Sequence, residues 1–196
     1  MKTFISLLRS INVSGQNKIR MPELKGLYES LNLVNVVTYI QSGNVIFDCT
    51  EQDPATIVRF LEAEITRSFG LSVKVLLRDK EGFQEILGSN PFVNQRNEDP
   101  ERQYVTFLSE APTELALRNL VFHAVGDSVG SNFKNESEVG DEDEYFVYNR
   151  EIYLFCPNGY GRTKFSNTYF ERKLGLAATT RNWKTVNVLN EMANQR

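Results

Sequence analysis

The sequence predicts an α+β protein made of two ferredoxin-like (βαββαβ-type) halves that arose by duplication. Three observations lead there. The hydrophobic periodicity of residues 3–78 reads strand, helix, strand, strand, helix, strand, the order of a split βαβ unit. Residues 103–182 repeat most of that order. The segment from Phe60-Leu61-Glu62 to Phe69-Gly70-Leu71 is echoed by the one from Tyr169-Phe170-Glu171 to Leu174-Gly175-Leu176. The expected division is an N-terminal unit over 1–93, a polar linker over 94–102, and a C-terminal unit over 103–196 that ends in an extra helix.

In order, Thr3–Leu8 is an apolar run with strand character, followed by a long loop from Arg9 to Arg20. Pro22 stands where a helix's first turn tolerates a missing N–H, and Leu24, Leu27, Tyr28 and Leu31 recur at helical spacing. Val36–Ile40 and Val45–Phe47 flank Gln41-Ser42-Gly43-Asn44, a hairpin signal. Asp53-Pro54 opens a helix that Gly70 closes, and Ser72–Leu77 is the fourth strand. A short helix near Lys80–Leu87 precedes the linker. In the second half, Tyr104–Leu108 is a strand and Thr113 caps a helix reaching His123. Residues 126–141 read as an acidic irregular loop. Tyr145–Tyr148 and Ile152–Phe155 form a hairpin around Asn149-Arg150, and Lys164–Leu174 is a helix. The fourth strand, Ala177-Ala178-Thr179-Thr180, is short and weakly apolar and is expected to be degraded; Lys184–Asn194 is the final helix.

Composition narrows the function classes. At 196 residues, with 41% hydrophobic and 24% charged residues, the chain has the makings of packed cores. The N-terminal apolar run is broken by Ser6 and closed by Arg9, which is not a leader pattern, and no stretch approaches the ~20 apolar residues of a membrane span. The expectation is a cytoplasmic protein without a membrane partner. Cys49 and Cys156 occupy matched strand ends and lack disulfide or metal spacing. No metal and no cofactor is expected. The net charge of −3 hides an asymmetry: residues 97–149 hold twelve acids against three bases, whereas residues 150–196 hold eight bases against three acids. The C-terminal quarter is therefore a local attractor for anions.

Four motifs carry the candidate ligand chemistry. The strand-to-helix loop Asn12-Val13-Ser14-Gly15-Gln16-Asn17-Lys18, after Arg9, is longer than most connections and suits presenting amides and cations to an anion, but has no Walker A spacing. Gln41 and Asn44 flank a tight turn. Gly159-Tyr160-Gly161-Arg162-Thr163-Lys164 combines two glycines with two cations and a hydroxyl. Thr179-Thr180-Arg181-Asn182-Trp183 holds the single Trp; read blandly, Asn182 caps a helix and Trp183 packs. The candidate ligand-binding set is Arg9, Asn12, Asn17, Lys18, Gln41, Asn44, Arg162, Lys164, Arg181, Asn182 and Trp183, with no catalytic residue assigned. His123, the one histidine, sits in an apolar stretch without a nucleophile motif and reads as a packing residue. Asp141-Glu142-Asp143-Glu144 lacks calcium-loop spacing and reads as a solvated loop. The third strands, Val45-Ile46-Phe47 and Ile152-Tyr153-Leu154-Phe155, do not carry the RNA-recognition motif.

These motifs carry a resemblance. The runs from Leu7 to Lys18 and from Thr38 to Val45, together with Gly159–Lys164, Glu171–Gly175 and Ala178–Trp183, resemble the bacterial family called domain of unknown function 1697. The chain departs from that pattern at Ser10, where the family commonly has Gly. The resemblance implies a cytoplasmic α+β protein of two ferredoxin-like halves and implies no activity.

The functional expectation is a protein that takes an anionic, phosphate-containing small molecule in a cleft between its halves, a compact phosphate suiting it better than nucleic acid. The alternatives are an enzyme on a phosphorylated substrate, with Arg162, Lys164 and Arg181 stabilising charge, and a homo-oligomeric module using exposed strand edges.

Overall fold

A computed structural model describes residues 1–13, 15, 17–51, 53–121, 133–134 and 143–196. The chain is α+β and divides into two compact units, Met1–Glu85 with Asn187–Arg196, and Ile86–Val186.

The first unit runs β1 (Lys2–Leu8), α1 (Met21–Ser30), β2 (Val34–Tyr39), β3 (Asn44–Cys49), α2 (Pro54–Phe69), β4 (Val75–Asp79) and the start of α3 (Lys80–Gly88). Its sheet has the order β2-β3-β1-β4, and every pair is antiparallel. Alternation along the strands sends Phe4, Leu8, Val45, Phe47, Val75 and Leu77 to one face. There they bury against Leu24, Leu27 and Tyr28 of α1 and Ile57, Leu61 and Ile65 of α2. Asp53 caps α2 by accepting from the N–H groups of Ala55 and Thr56, and Gly70 ends it at φ +66°. Tyr28 is fully buried, so its hydroxyl needs a partner; it shares a 3.0 Å hydrogen bond with Ser6.

The second unit contains α4 (Pro91–Asn94), β5 (Gln103–Leu108), α5 (Glu114–Val121), β6 (Phe133–Lys134), β7 (Glu144–Tyr148), β8 (Glu151–Phe155), α6 (Asn167–Leu174), β9 (Ala178–Asn182) and the start of α7 (Trp183–Asn194). Its sheet has the order β6-β7-β8-β5-β9, again antiparallel throughout. Tyr145, Phe165, Tyr169 and Phe170 form an edge-to-face cluster in its core, with Tyr145 4.8 Å from Phe165 and 5.5 Å from Phe170.

The two sheets match in detail. The Leu8 amide donates to Gly43 O at 2.8 Å, and the Leu108 amide donates to Arg150 O at 2.8 Å. The Val75 amide, opposite Leu8, donates to Glu62 on α2 at 3.0 Å, and the Ala178 amide, opposite Leu108, donates to Glu171 on α6 at 3.0 Å. Three residues along each fourth strand stands a buried arginine, Arg78 or Arg181, that donates at 2.9 Å to the carbonyl of the residue before it.

Two expectations change. The fourth strand of the second half is not degraded: β9 has five residues, as many as β4, and pairs with β5 along its length. Its pairing rests on the backbone ladder and on a Thr106–Thr180 hydroxyl contact of 2.7 Å, which a scan for apolar runs does not register. Residues 94–102 are also no free linker. Asn90 and Gln103, both buried, share a hydrogen bond, Gln103 donates to Glu98 O, and Arg96 bridges Glu98 and Glu144. The boundary between the units accordingly falls earlier, after Glu85, and the last ten residues group with the first unit. His123 and the expected irregular loop over 126–141 lie outside the described residues apart from β6, as do Asp141 and Glu142 of the acidic run. Among the described residues no helix is long and apolar enough to cross a membrane.

Candidate functional site

In the first unit the polar motifs hold loops together. Asn12 sits at φ +54°, a conformation Asn tolerates. Its amide donates to Ile19 O (2.9 Å) and Gln41 O (2.8 Å), and its oxygen accepts from the Ile19 amide (3.0 Å). Asn17 donates to Ser10 O at 3.1 Å. Asn44 is fully buried and donates to Tyr39 O and to the Ser42 hydroxyl, both at 3.0 Å. Arg9 donates to the Ser10 hydroxyl at 3.0 Å, while Lys18 and Gln41 are exposed. Ser14 and Gln16 lie outside the described residues. The side chain of Asn12 thus ties the loop after β1 to the β2–β3 turn. Asn12→Ala removes three hydrogen bonds and leaves half-exposed backbone groups to find water, so it should lower stability by about 2 kcal/mol in urea unfolding. A midpoint equal to wild type would return Asn12 to the pool of ligand-binding candidates.

In the second unit the segment after β8 folds as a turn built around Tyr160. Gly159 adopts φ +87°, and residues Tyr160–Arg162 form one turn of 3₁₀ helix. Tyr160 folds inward: its ring lies 5.1 Å from that of Tyr104, and its hydroxyl donates to Thr180 Oγ1 at 3.0 Å. Thr180 in turn donates to Asn167 Oδ1 at 2.6 Å. Burial raises the pKa of Tyr160, with the Thr180 hydrogen bond acting the other way. The side chains left outside on this turn are basic. Arg162 and Lys164 are exposed. A third cation, Arg102, lies over the turn: a Cβ placed on Gly159 would stand 3.6 Å from Arg102 Nη1. The Cys156 amide donates to Arg102 O at 2.9 Å, which holds the Arg102 main chain beside the turn, and the guanidinium Nε lies 4.0 Å from Asp99 Oδ2. Below the turn, burial pushes the Cys156 thiol up to about 12, assisted by the charge of Asp143 and opposed by a hydrogen bond with Thr163.

Arg181 does not share that exposed surface. It is buried on β9 and donates to Thr179 Oγ1 at 2.8 Å and Thr180 O at 2.9 Å. Burial pulls its pKa down to about 10, with Tyr160 acting the other way, so it remains a cation at neutral pH. Asn182 is exposed and its Oδ1 accepts from the Thr185 amide at 2.8 Å, while Trp183 is buried at the start of α7. Sequence reasoning missed Arg102 because it belongs to the polar stretch read as a linker. The available signal was its place immediately before β5, the strand that pairs with the one leading into the turn. Among the described residues no three His, Cys, Asp or Glu side chains cluster so as to hold a metal ion.

Residues 1–131 match the model of a family described as a protein of unknown function, DUF1697. The chain belongs to the DUF1697 family. Its fold is shared with a conserved bacterial protein, SP0830, from Streptococcus pneumoniae: 98% of each chain is covered at 23% identity, with a TM-score of 0.66. No curated protein matches the chain. The DUF1697 match takes in the loop after β1, the β2–β3 turn and Arg102; Gly159–Lys164 and Thr179–Trp183 lie beyond it.

Proposed function

We propose that this DUF1697 protein is a cytoplasmic ligand-binding protein, and that its second unit takes a small phosphate-bearing molecule at the turn Gly159–Lys164. The observation that carries the reading is the approach of the Arg102 guanidinium to Gly159, on a turn whose exposed charged side chains, Arg162 and Lys164, are both cations. Gly159 supplies the φ of +87° that starts the turn beside Arg102, and a guanidinium fork matches the oxygens of a phosphate. The segment from 150 onward is basic in an otherwise acidic chain, so attraction is local and favours a compact anion over a long polymer. Arg181 enters as a buried charge near Tyr160 rather than as a contact.

The two units are duplicated ferredoxin-like halves in this reading, supported by strand order, since β7-β8-β5-β9 repeats β2-β3-β1-β4. The paired Glu62–Val75 and Glu171–Ala178 hydrogen bonds support it as well.

The binding reading is tested by calorimetric titration of pyrophosphate and a sugar phosphate at low salt. Wild type should bind, and Arg102→Ala and Arg162→Ala should each lose about 1.5 kcal/mol, roughly tenfold in affinity. Added salt should weaken binding with a slope shallower than that of a protein neutralising about six phosphates. Wild-type affinity in both folded variants would remove the site.

A further inference from the structure

The face of the second sheet turned away from Tyr145, Val147, Ile152 and Leu154 carries a cavity of about 280 Å³. Its floor is aromatic. Phe146 on β7 stands directly opposite Tyr153 on β8, and Tyr148 follows two residues along the same face. The Tyr153 ring is anchored, since its hydroxyl donates to Ile86 O at 2.9 Å. The rim is polar and comes from α4 and the residues around it. Asn94 donates to Gly88 O at 2.6 Å, which orients its amide and leaves its oxygen free to accept. The side chains of Ser89, Gln95 and Tyr148 make no hydrogen bond among the described residues. Among the described residues, those that line the cavity are uncharged.

That lining specifies its occupant by chemistry. Flat aromatic walls favour a planar ring. Two amides and two hydroxyls with spare donors and acceptors favour a ring whose edge offers both. The volume is just below the ~300–1,000 Å³ typical of small-molecule sites, so the occupant is one ring system with little attached. Residues 97–149, which supply Phe146 and Tyr148, hold twelve acids against three bases and disfavour a polyanionic strand. We infer that this cavity binds a nucleobase, free or as its nucleoside, stacked on Phe146 and Tyr148 above the buried Tyr153, with its edge met by Asn94 and Gln95. The inference does not depend on the phosphate reading, because its side chains and chemistry are separate from those of the Gly159–Lys164 turn.

The test is titration of the full chain with adenosine, guanosine, cytidine and uridine by ligand-observed NMR, beside glucose and a single-stranded hexanucleotide. At least one nucleoside should bind saturably. Tyr148→Leu and Gln95→Ala, both at positions with solvent exposure, should melt like wild type. Tyr148→Leu, which removes a stacking ring, should weaken that nucleoside by roughly 5- to 150-fold, and Gln95→Ala should weaken it measurably. Four results would each overturn the inference: no nucleoside binding up to solubility, binding of glucose alone, tighter binding of the hexanucleotide than of any nucleoside, or unchanged affinity in both variants.

Discussion

Gly43→Ala should destabilise the first unit by about 3 kcal/mol, from overpacking together with the penalty for a side chain in left-handed backbone. Gly43 is buried in the β2–β3 turn at φ +74°. A Cβ there would lie 2.6 Å from Ile11 Cδ1, 2.8 Å from Leu8 Cβ and 2.9 Å from Ile11 Cγ1. The first and third contacts belong to one side chain in the loop after β1, so relief requires that loop to move off the turn. The second is the Cβ of a core strand residue, which has no freedom of its own. The Gly43 carbonyl also accepts from the Leu8 amide, so a shift of the turn would stretch the end of the β1–β3 ladder. Urea unfolding followed by circular dichroism gives the number. A loss under 1 kcal/mol, below the usual overpacking range of about 1–3, would mean that the turn and loop accommodate a methyl group.

Alkali should unfold the protein early. Burial raises the pKa of Tyr28 and Tyr145 well above the ordinary tyrosine range, raises those of Tyr160 and Tyr169 in the same direction, and pushes Cys156 up to about 12. The unfolded chain releases these protons from pH 9.0 for the thiol and 10.0 for the phenols, while the folded chain keeps them. Above pH 9 the folded state therefore binds more protons, and stability falls as pH rises; below it these groups contribute no slope. Arg181 works in the opposite sense, its pKa dropping from 12.5 to about 10, and offsets part of the loss. With Tyr28, Tyr145 and Cys156 set against Arg181, the net cost by pH 11 is about 4 kcal/mol, at ~1.4 kcal/mol per group and pH unit. Urea midpoints should be level from pH 7 to 9 and decline steeply at 10 and 11. A level midpoint through pH 11 would contradict the burial of these phenols.

Much of the fold was legible because its signals are local. Asp53-Pro54 and Gly70 bracket α2 through capping and left-handed backbone, and both act on neighbouring residues alone. The two hairpins were readable from their turn residues, Asn149 taking φ +52° between β7 and β8. What escaped depends on contacts distant in sequence. The strength of β9 comes from its neighbour β5 rather than from its own side chains. The residues around Asn90 and Gln103 look like polar punctuation until their mutual hydrogen bond is seen. The candidate site divides along the same line. Arg162 and Lys164 were readable as cations on a glycine-rich turn, and both are exposed there. Arg181 carries the same charge, yet the strand's alternation buries it. Asn12 and Asn44 have the chemistry of ligand contacts, and their amides are engaged with backbone carbonyls of their own unit.

The most direct measurement is an amide-resolved NMR titration of the whole protein with pyrophosphate at low salt. The largest shift changes should fall on Gly159–Lys164 and on Arg102, saturating together with one dissociation constant. Changes concentrated in the loop from Arg9 to Ile19, with Gly159–Lys164 silent, would contradict the assignment of phosphate binding to the second unit.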